Sequence, residues 1–185
     1  MEELQDYSGE FKPNLRMQVF SKDAFVRLWR ACGALHLGLD EVWHGVIKER
    51  YGEEIALELD SEVWRRQAIP EWQRLSKAMN IQGDDVAALF KACQVGPSGG
   101  AVADMAYELK NNDHGILTFN RCLPLEWVEK YGNPARQKQM CDFDIEFFEI
   151  WAKYLNPKMK VTPLKLPPRK SNEEVPCIWE FQVDR

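Results

Sequence analysis

Three cysteines, Cys122, Cys141 and Cys177, carry the clearest chemical potential in this chain. They stand at the end of a predicted strand, inside a predicted helix and inside the last predicted strand. If the C-terminal half folds compactly, they can meet. Three thiolates completed by a histidine, a carboxylate or water would suit zinc, and they could equally hold an iron–sulfur cluster with one open iron. The spacings are wide and contain no Cys-x-x-Cys pair, so metal specificity is weak. The competing reading is that each thiol is a small buried hydrophobe. Cys32 and Cys93 fall on apolar helix faces and read as core. His114 does not complete the set, because an extended strand would place it about 26 Å from Cys122.

His36, Asp40 and His44 form a second constellation. Residues four apart share one face of a helix. The trio could supply two imidazole ligands and a carboxylate, or an acid–base pair polarised by Asp40. The plainer reading, which weighs more, is a helix edge where the imidazoles meet water and Asp40 pairs locally. Even so, Asp40 lies among Leu39, Val42 and Trp43. Buried beside a cavity, its pKa would rise and it could act as a general base. Trp29, Trp43, Trp64, Phe119, Trp127, Phe147, Phe148, Trp151 and Trp179 could wall a pocket for a flat ligand. Trp29, Trp43 and Trp64 are assigned to the core first. Lys165, Arg169 and Lys170 around Pro167-Pro168 make one compact basic patch, read as a solvated connection before an anion site. No phosphate-binding loop, dinucleotide fingerprint, serine elbow or His-Glu-x-x-His motif is present.

The elements that must position these groups follow from periodicity. Residues 1–20 form an irregular arm. Ser21 caps a long helix, 21–51, whose inward face is Phe25, Leu28, Trp29, Cys32, Leu35, Leu39, Val42, Trp43 and Val46. Gly33 and Gly38 cost this helix roughly 1 kcal/mol each relative to alanine, and they fit a close approach by a neighbour. A second helix covers 53–67, with Ile55, Ala56, Leu57, Leu59, Val63 and Trp64 inward. Pro70 ends it and starts another to Met79. A further helix spans 84–93. Beyond Gly96–Gly100 come a hairpin turning at 111–115, helices 123–131 and 134–154 separated by Gly132-Asn133, and strands at 158–166 and 175–183. Pro163 places the first of these two strands at an edge or a bulge. The fold class is α+β, a helical N-terminal bundle (21–96) followed by a small antiparallel sheet with helices (101–185, order ββααββ), packed as one unit.

Composition narrows the function. The 185 residues include 7 Trp and 9 Phe and carry a net charge of -5. There is no long basic run, which disfavours nucleic-acid binding. No stretch of about 18 apolar residues is present, so no membrane span is expected. The acidic start, Met-Glu-Glu-Leu-Gln-Asp, is no signal peptide, and five cysteines without one point to the reducing cytoplasm.

The segments HGILTFNRC and MCDFDIEFFEIWAKYLNPKMKVTPLKLPPRKSNEEVPCIWEFQV, together with FSKDAFVRLWRACGAL and KERYGEEIALELDSEVWRR, resemble a poorly characterised family of cytosolic proteins from anaerobes and archaea. That family is distantly similar to the L-2-amino-thiazoline-4-carboxylic acid hydrolases. The chain is also similar to 4-vinyl-reductase-type small-molecule-binding domains, in which a late cysteine precedes the final strand. The resemblance implies a ligand-sized cavity between helices and sheet, and hydrolysis of a C–N bond in a small cyclic substrate. The expected function is therefore a hydrolase-like, small-molecule-processing protein of the cytoplasm. Cys122, Cys141 and Cys177 would be metal ligands, and Asp40, His36 and His44 catalytic candidates. The alternatives are a non-catalytic binding or sensor module with structural cysteines or structural zinc, and an iron–sulfur protein. The partner is a small molecule, with no nucleic acid and no membrane, and a homodimer is compatible with the chain.

Overall fold

A computed structural model describes residues 3–131 and 134–184. The arm closes on itself where Leu4 pairs with Phe20, its N–H donating to the Val19 carbonyl at 2.8 Å. Ser21 then accepts the Ala24 N–H at 3.2 Å and caps helix α1, Lys22–Tyr51. Gly52, at φ 92°, turns the chain into α2, Glu53–Met79. Its positive φ suits a residue without Cβ. Asp85 caps α3, Val86–Val95, by accepting the Ala88 N–H at 2.8 Å.

Strands β1 (Ala103–Asn111) and β2 (His114–Cys122) form the expected hairpin. Helices α4 (Leu123–Tyr131) and α5 (Pro134–Leu155) follow, then β3 (Met159–Lys165) and β4 (Cys177–Val183). The expected break at Gly132-Asn133 lies outside the described residues. The sheet is four-stranded and antiparallel, in the order β1-β2-β4-β3. The α+β class and the ββααββ order hold. Pro163 lies on the edge strand β3, beside a register shift, where its missing N–H costs the ladder nothing.

The inner face of the sheet alternates Leu117 on β2 with Trp179, Phe181 and Val183 on β4. Helices α3 and α5 cover it, and Phe148 meets the rings of Trp179 and Phe181 at 5.0 and 5.4 Å. Helix α2 lies on α5. There the Trp151 indole N–H donates to the Ala68 carbonyl at 2.7 Å and Trp72 meets Trp151 edge-on. Among the described residues no helix is long and apolar enough to cross a membrane.

Two expectations fail. Helix α2 runs unbroken through Pro70. The proline removes one hydrogen bond, but buried Ala68, Glu71 and Trp72 on either side are held against the core and keep the axis. The face assigned inward on α1 is also wrong. Its row from Phe25 to Val46 is largely exposed, with Leu35 at 72%, Leu39 at 70% and Val42 at 66%, and Cys32 is exposed too. The face turned to the rest of the chain carries Gly33, His36, Asp40 and His44. On α2, Ile55, Leu59 and Val63 are likewise exposed.

Gly33 and the 96–102 loop show why the glycines are needed. A Cβ on Gly33 would sit 2.5 Å from the Ala101 Cβ, so α1 rides directly on the loop. A Cβ on Gly100 would stand 2.0 Å from the Gln94 carbonyl oxygen, a backbone atom that cannot move aside. Gly100→Ala is expected to lower stability by about 1–3 kcal/mol, read as a drop in the urea midpoint with unchanged slope. An unchanged midpoint would mean that the loop adapts.

Candidate functional site

A cavity of about 140 Å³ lies between α5, the sheet and the α1–α2 hairpin. Helix α5 supplies one wall. Arg136, Met140, Asp144 and Phe148 recur every four residues, with Phe143, Phe147 and Trp151 alongside, as one face of a helix requires. Met105, Phe119 and Cys177 come from the sheet, where Phe119 pairs with both Met105 and Cys177 in register. Leu37, Asp40, Asp60 and Trp64 close the far side, and Leu166, Pro167 and Pro176 border the cavity from the β3–β4 connection.

Of the aromatics singled out, Trp64, Phe119, Phe147, Phe148 and Trp151 line the cavity. Trp179 is fully buried in the core and Trp127 is exposed. The connection is not simply solvated, because Arg169 is half-buried and its Nη2 pairs with Glu129 Oε2 at 2.6 Å.

One end of the cavity is an ionic cluster. Arg136 is 3% exposed and Asp60 2%. The Arg136 guanidinium donates from Nη2 to Asp40 Oδ2 at 2.9 Å and Glu41 Oε1 at 3.1 Å. From Nη1 it donates to Asp60 Oδ2 at 2.5 Å and Gln139 Oε1 at 2.9 Å. Gln139 Nε2 donates in turn to Asp60 Oδ2 at 3.0 Å and Ser61 Oγ at 2.8 Å. The Trp64 indole N–H donates to Asp40 Oδ1 at 3.0 Å. Three carboxyls thus share one cation. Burial, then the neighbouring charge of Asp60, raises the Asp40 pKa to about 7, against the pull of Arg136. Asp40 therefore holds a proton near neutrality.

The histidines take different parts. His36 packs edge-on against Trp64, ring centroids 5.5 Å apart, and its buried Nε2 has no hydrogen-bond partner among the described residues. His44 is 4% exposed, so the solvent-edge reading does not hold. Burial first, and then the charge of Arg136, pushes its pKa down, which leaves the imidazole neutral. Its Nε2 lies 3.8 Å from Glu53 Oε1. Neither histidine lines the cavity, whereas Asp40 does.

The three cysteines do come to one place. Cys122, Cys141 and Cys177 all border the cavity, and all three feel the charge of Asp144. Burial pushes the Cys122 thiol up to about 12 and moves Cys141 and Cys177 in the same direction. Cys122 and Cys141 pack with Leu125 and Val128 in a small apolar cluster. Protonated thiols in apolar surroundings are poor nucleophiles and poor ligands. Among the described residues no group of three or more His, Cys, Asp or Glu side chains is placed to hold a metal ion. As placed, these side chains offer no ready-made ligand set for zinc or an iron–sulfur cluster. His114 begins β2 while Cys122 ends it, and His114 Nε2 lies 2.8 Å from Glu180 Oε1.

Asp144 is the group that sequence reading passed over. It sits in the cavity wall beside Phe143 and Phe147. Among the described residues it has no ion-pair or hydrogen-bond partner. Withdrawal from water alone raises its pKa to about 7. Its signal was present in the inward register of the predicted helix 134–154, where Arg136, Met140, Asp144 and Phe148 are four apart. Asp60 carries the same signal, midway between inward Ala56 and Trp64.

A sequence model of one protein family, described as a family of unknown function (DUF6125), matches residues 18–183. No curated protein and no solved structure matches the chain.

Proposed function

We propose that this chain, which belongs to that family of unknown function, binds a small flat molecule bearing a basic nitrogen in the cavity beside Asp144. The observation that carries this reading is Asp144 itself, a carboxyl without a counter-charge among the described residues, set in a wall of aromatic rings. A cationic ligand supplies the missing charge, drawing the carboxyl back toward its ionised form. The faces of Phe147, Phe148 and Trp151 attract a cation and accept a flat ring. The cavity volume is of the size that takes a single-ring molecule.

A hydrolase-like reading, on a C–N bond of a small cyclic substrate, is favoured by a second observation. Asp40 borders the same cavity and holds a proton near neutrality. It could give that proton to a departing nitrogen while ionised Asp144 takes one from the attacking water. Five cysteines, all free, accord with the reducing cytoplasm.

The test uses benzylamine and its neutral analogue benzyl alcohol. Benzylamine is expected to raise the thermal midpoint more than benzyl alcohol does, and Asp144→Asn to abolish the difference while retaining the response to the alcohol. Equal effects of the two probes on the wild-type chain would remove the proposal.

A further inference from the structure

The exposed row of α1 has the spacing of an interface rather than of a core. From Phe25 to Val46 its residues stand alternately three and four apart, through Leu28, Cys32, Leu35, Leu39 and Val42. That period of 3.5 is the a/d seam on which two helices coil around each other. No charged residue interrupts it over three heptads, and α2 is the one element on which α1 packs extensively. One flank of the seam is Trp29, His36 and Trp43, and His36 meets Trp64 of α2. The other flank is Ala24, Ala31, Gly38 and Gly45, every residue small and seven apart. A Cβ at Gly38 or Gly45 would meet nothing within 4 Å, so nothing in the chain's own packing asks for glycine there.

We infer that this face is where a second copy of the chain docks, with the two α1 helices antiparallel about a two-fold axis. The geometry selects that occupant in two ways. The seam and Ile55, Leu59 and Val63 of α2 together present nine large apolar side chains, each at least 38% exposed, a large apolar surface of the kind that a stable interface of about 800 Å² per partner covers. An antiparallel pair also brings the small-residue flank of one helix against the same flank of the other, so the two backbones can close together. A parallel pair would set it against the partner subunit's Trp29 and Trp43. Setting Leu35 against the partner subunit's Leu39 puts Leu28 against the partner subunit's Val46 and Cys32 against the partner subunit's Val42, apolar on apolar at the centre, with Phe25 beside the partner subunit's Glu49 at each end. The interface is isologous, as closed dimers require.

The experiment is sedimentation equilibrium of the full chain over the micromolar range, with far-UV circular dichroism as the control for folding. The wild-type chain is expected at twice the chain mass. Leu35→Asp with Leu39→Asp is expected at the chain mass with its helical signal retained, since both side chains are exposed within one copy. Gly38→Leu provides an independent test, because its new side chain meets nothing in its own chain and obstructs only a docked helix. It too is expected to shift the equilibrium toward the single chain, at least tenfold in the dissociation constant. A wild-type chain that stays single throughout the range would overturn the inference, as would a dimer indifferent to both variants. So would a single chain that instead binds phosphatidylcholine vesicles through this face.

Discussion

Arg136→Leu is expected to cost about 3–5 kcal/mol of stability, the penalty for breaking a buried ion pair from one side. That is a large part of the 5–15 kcal/mol that typically separates folded from unfolded chains. The reason is numerical. Asp40, Glu41 and Asp60 all accept from this one guanidinium. Leucine would leave acids that are barely reached by water without a cation. Asp40 would respond by holding its proton more tightly, so its folded pKa would climb further above the unfolded value of 3.8. Protons bound by the folded state and not by the unfolded state make stability fall as pH rises. The defect should therefore be small near pH 4 and full near pH 8, and Asp60→Asn in the Arg136→Leu background should recover part of it. A loss within about 0.5 kcal/mol, the range of ordinary surface changes, would mean that the cluster does not hold α5 to the hairpin.

Asp144→Asn is expected to stabilise the chain at alkaline pH, by up to about 4 kcal/mol near pH 8, and to change little near pH 4. The folded carboxyl titrates at about 7 and the unfolded one at 3.8. Between these values the folded state binds the extra proton. Each pH unit upward across that window removes about 1.4 kcal/mol, and the penalty is constant above it. Asp40 acts in the same direction through the same window. The wild-type chain should thus lose stability from mildly acidic to neutral pH, the reverse of the usual behaviour of paired carboxylates. Urea midpoints at three pH values on wild type and Asp144→Asn read this directly. Parallel profiles for the two proteins would show that Asp144 is well hydrated, and the charge argument for a basic ligand would lose its ground. A stabilising substitution that also removes the preference for benzylamine would be the signature of a group retained for binding rather than for folding.

Much of the architecture was legible locally. The Ser21 cap, the helical first half, the hairpin at residues 111–115, the ββααββ order and the edge position of Pro163 all follow from capping, periodicity and turn chemistry. These act over a few residues and leave their mark in neighbouring positions. The site was legible in part. Asp40 was marked as a carboxyl whose pKa would rise if buried near a cavity, and Cys122, Cys141 and Cys177 all border that cavity. Arg136, Asp60 and Asp144 were passed over because a charge within an amphipathic run reads by default as solvent-facing.

What the amino-acid sequence determined by itself was the set of elements, their order and the periodicity of each face. Which face turns inward on α1 was decided only in three dimensions. Its apolar row and its His36–Asp40–His44 row are both regular, and local rules favour burying the apolar one. Asp40 turns inward instead, because Trp64 on α2 and Arg136 on α5 supply its hydrogen-bond partners 24 and 96 residues away in the chain. The continuity of α2 through Pro70 was decided in the same way, by packing on both sides. Buried polar groups stay buried when their partners are in place, and those partners are distant in sequence and adjacent only in the fold.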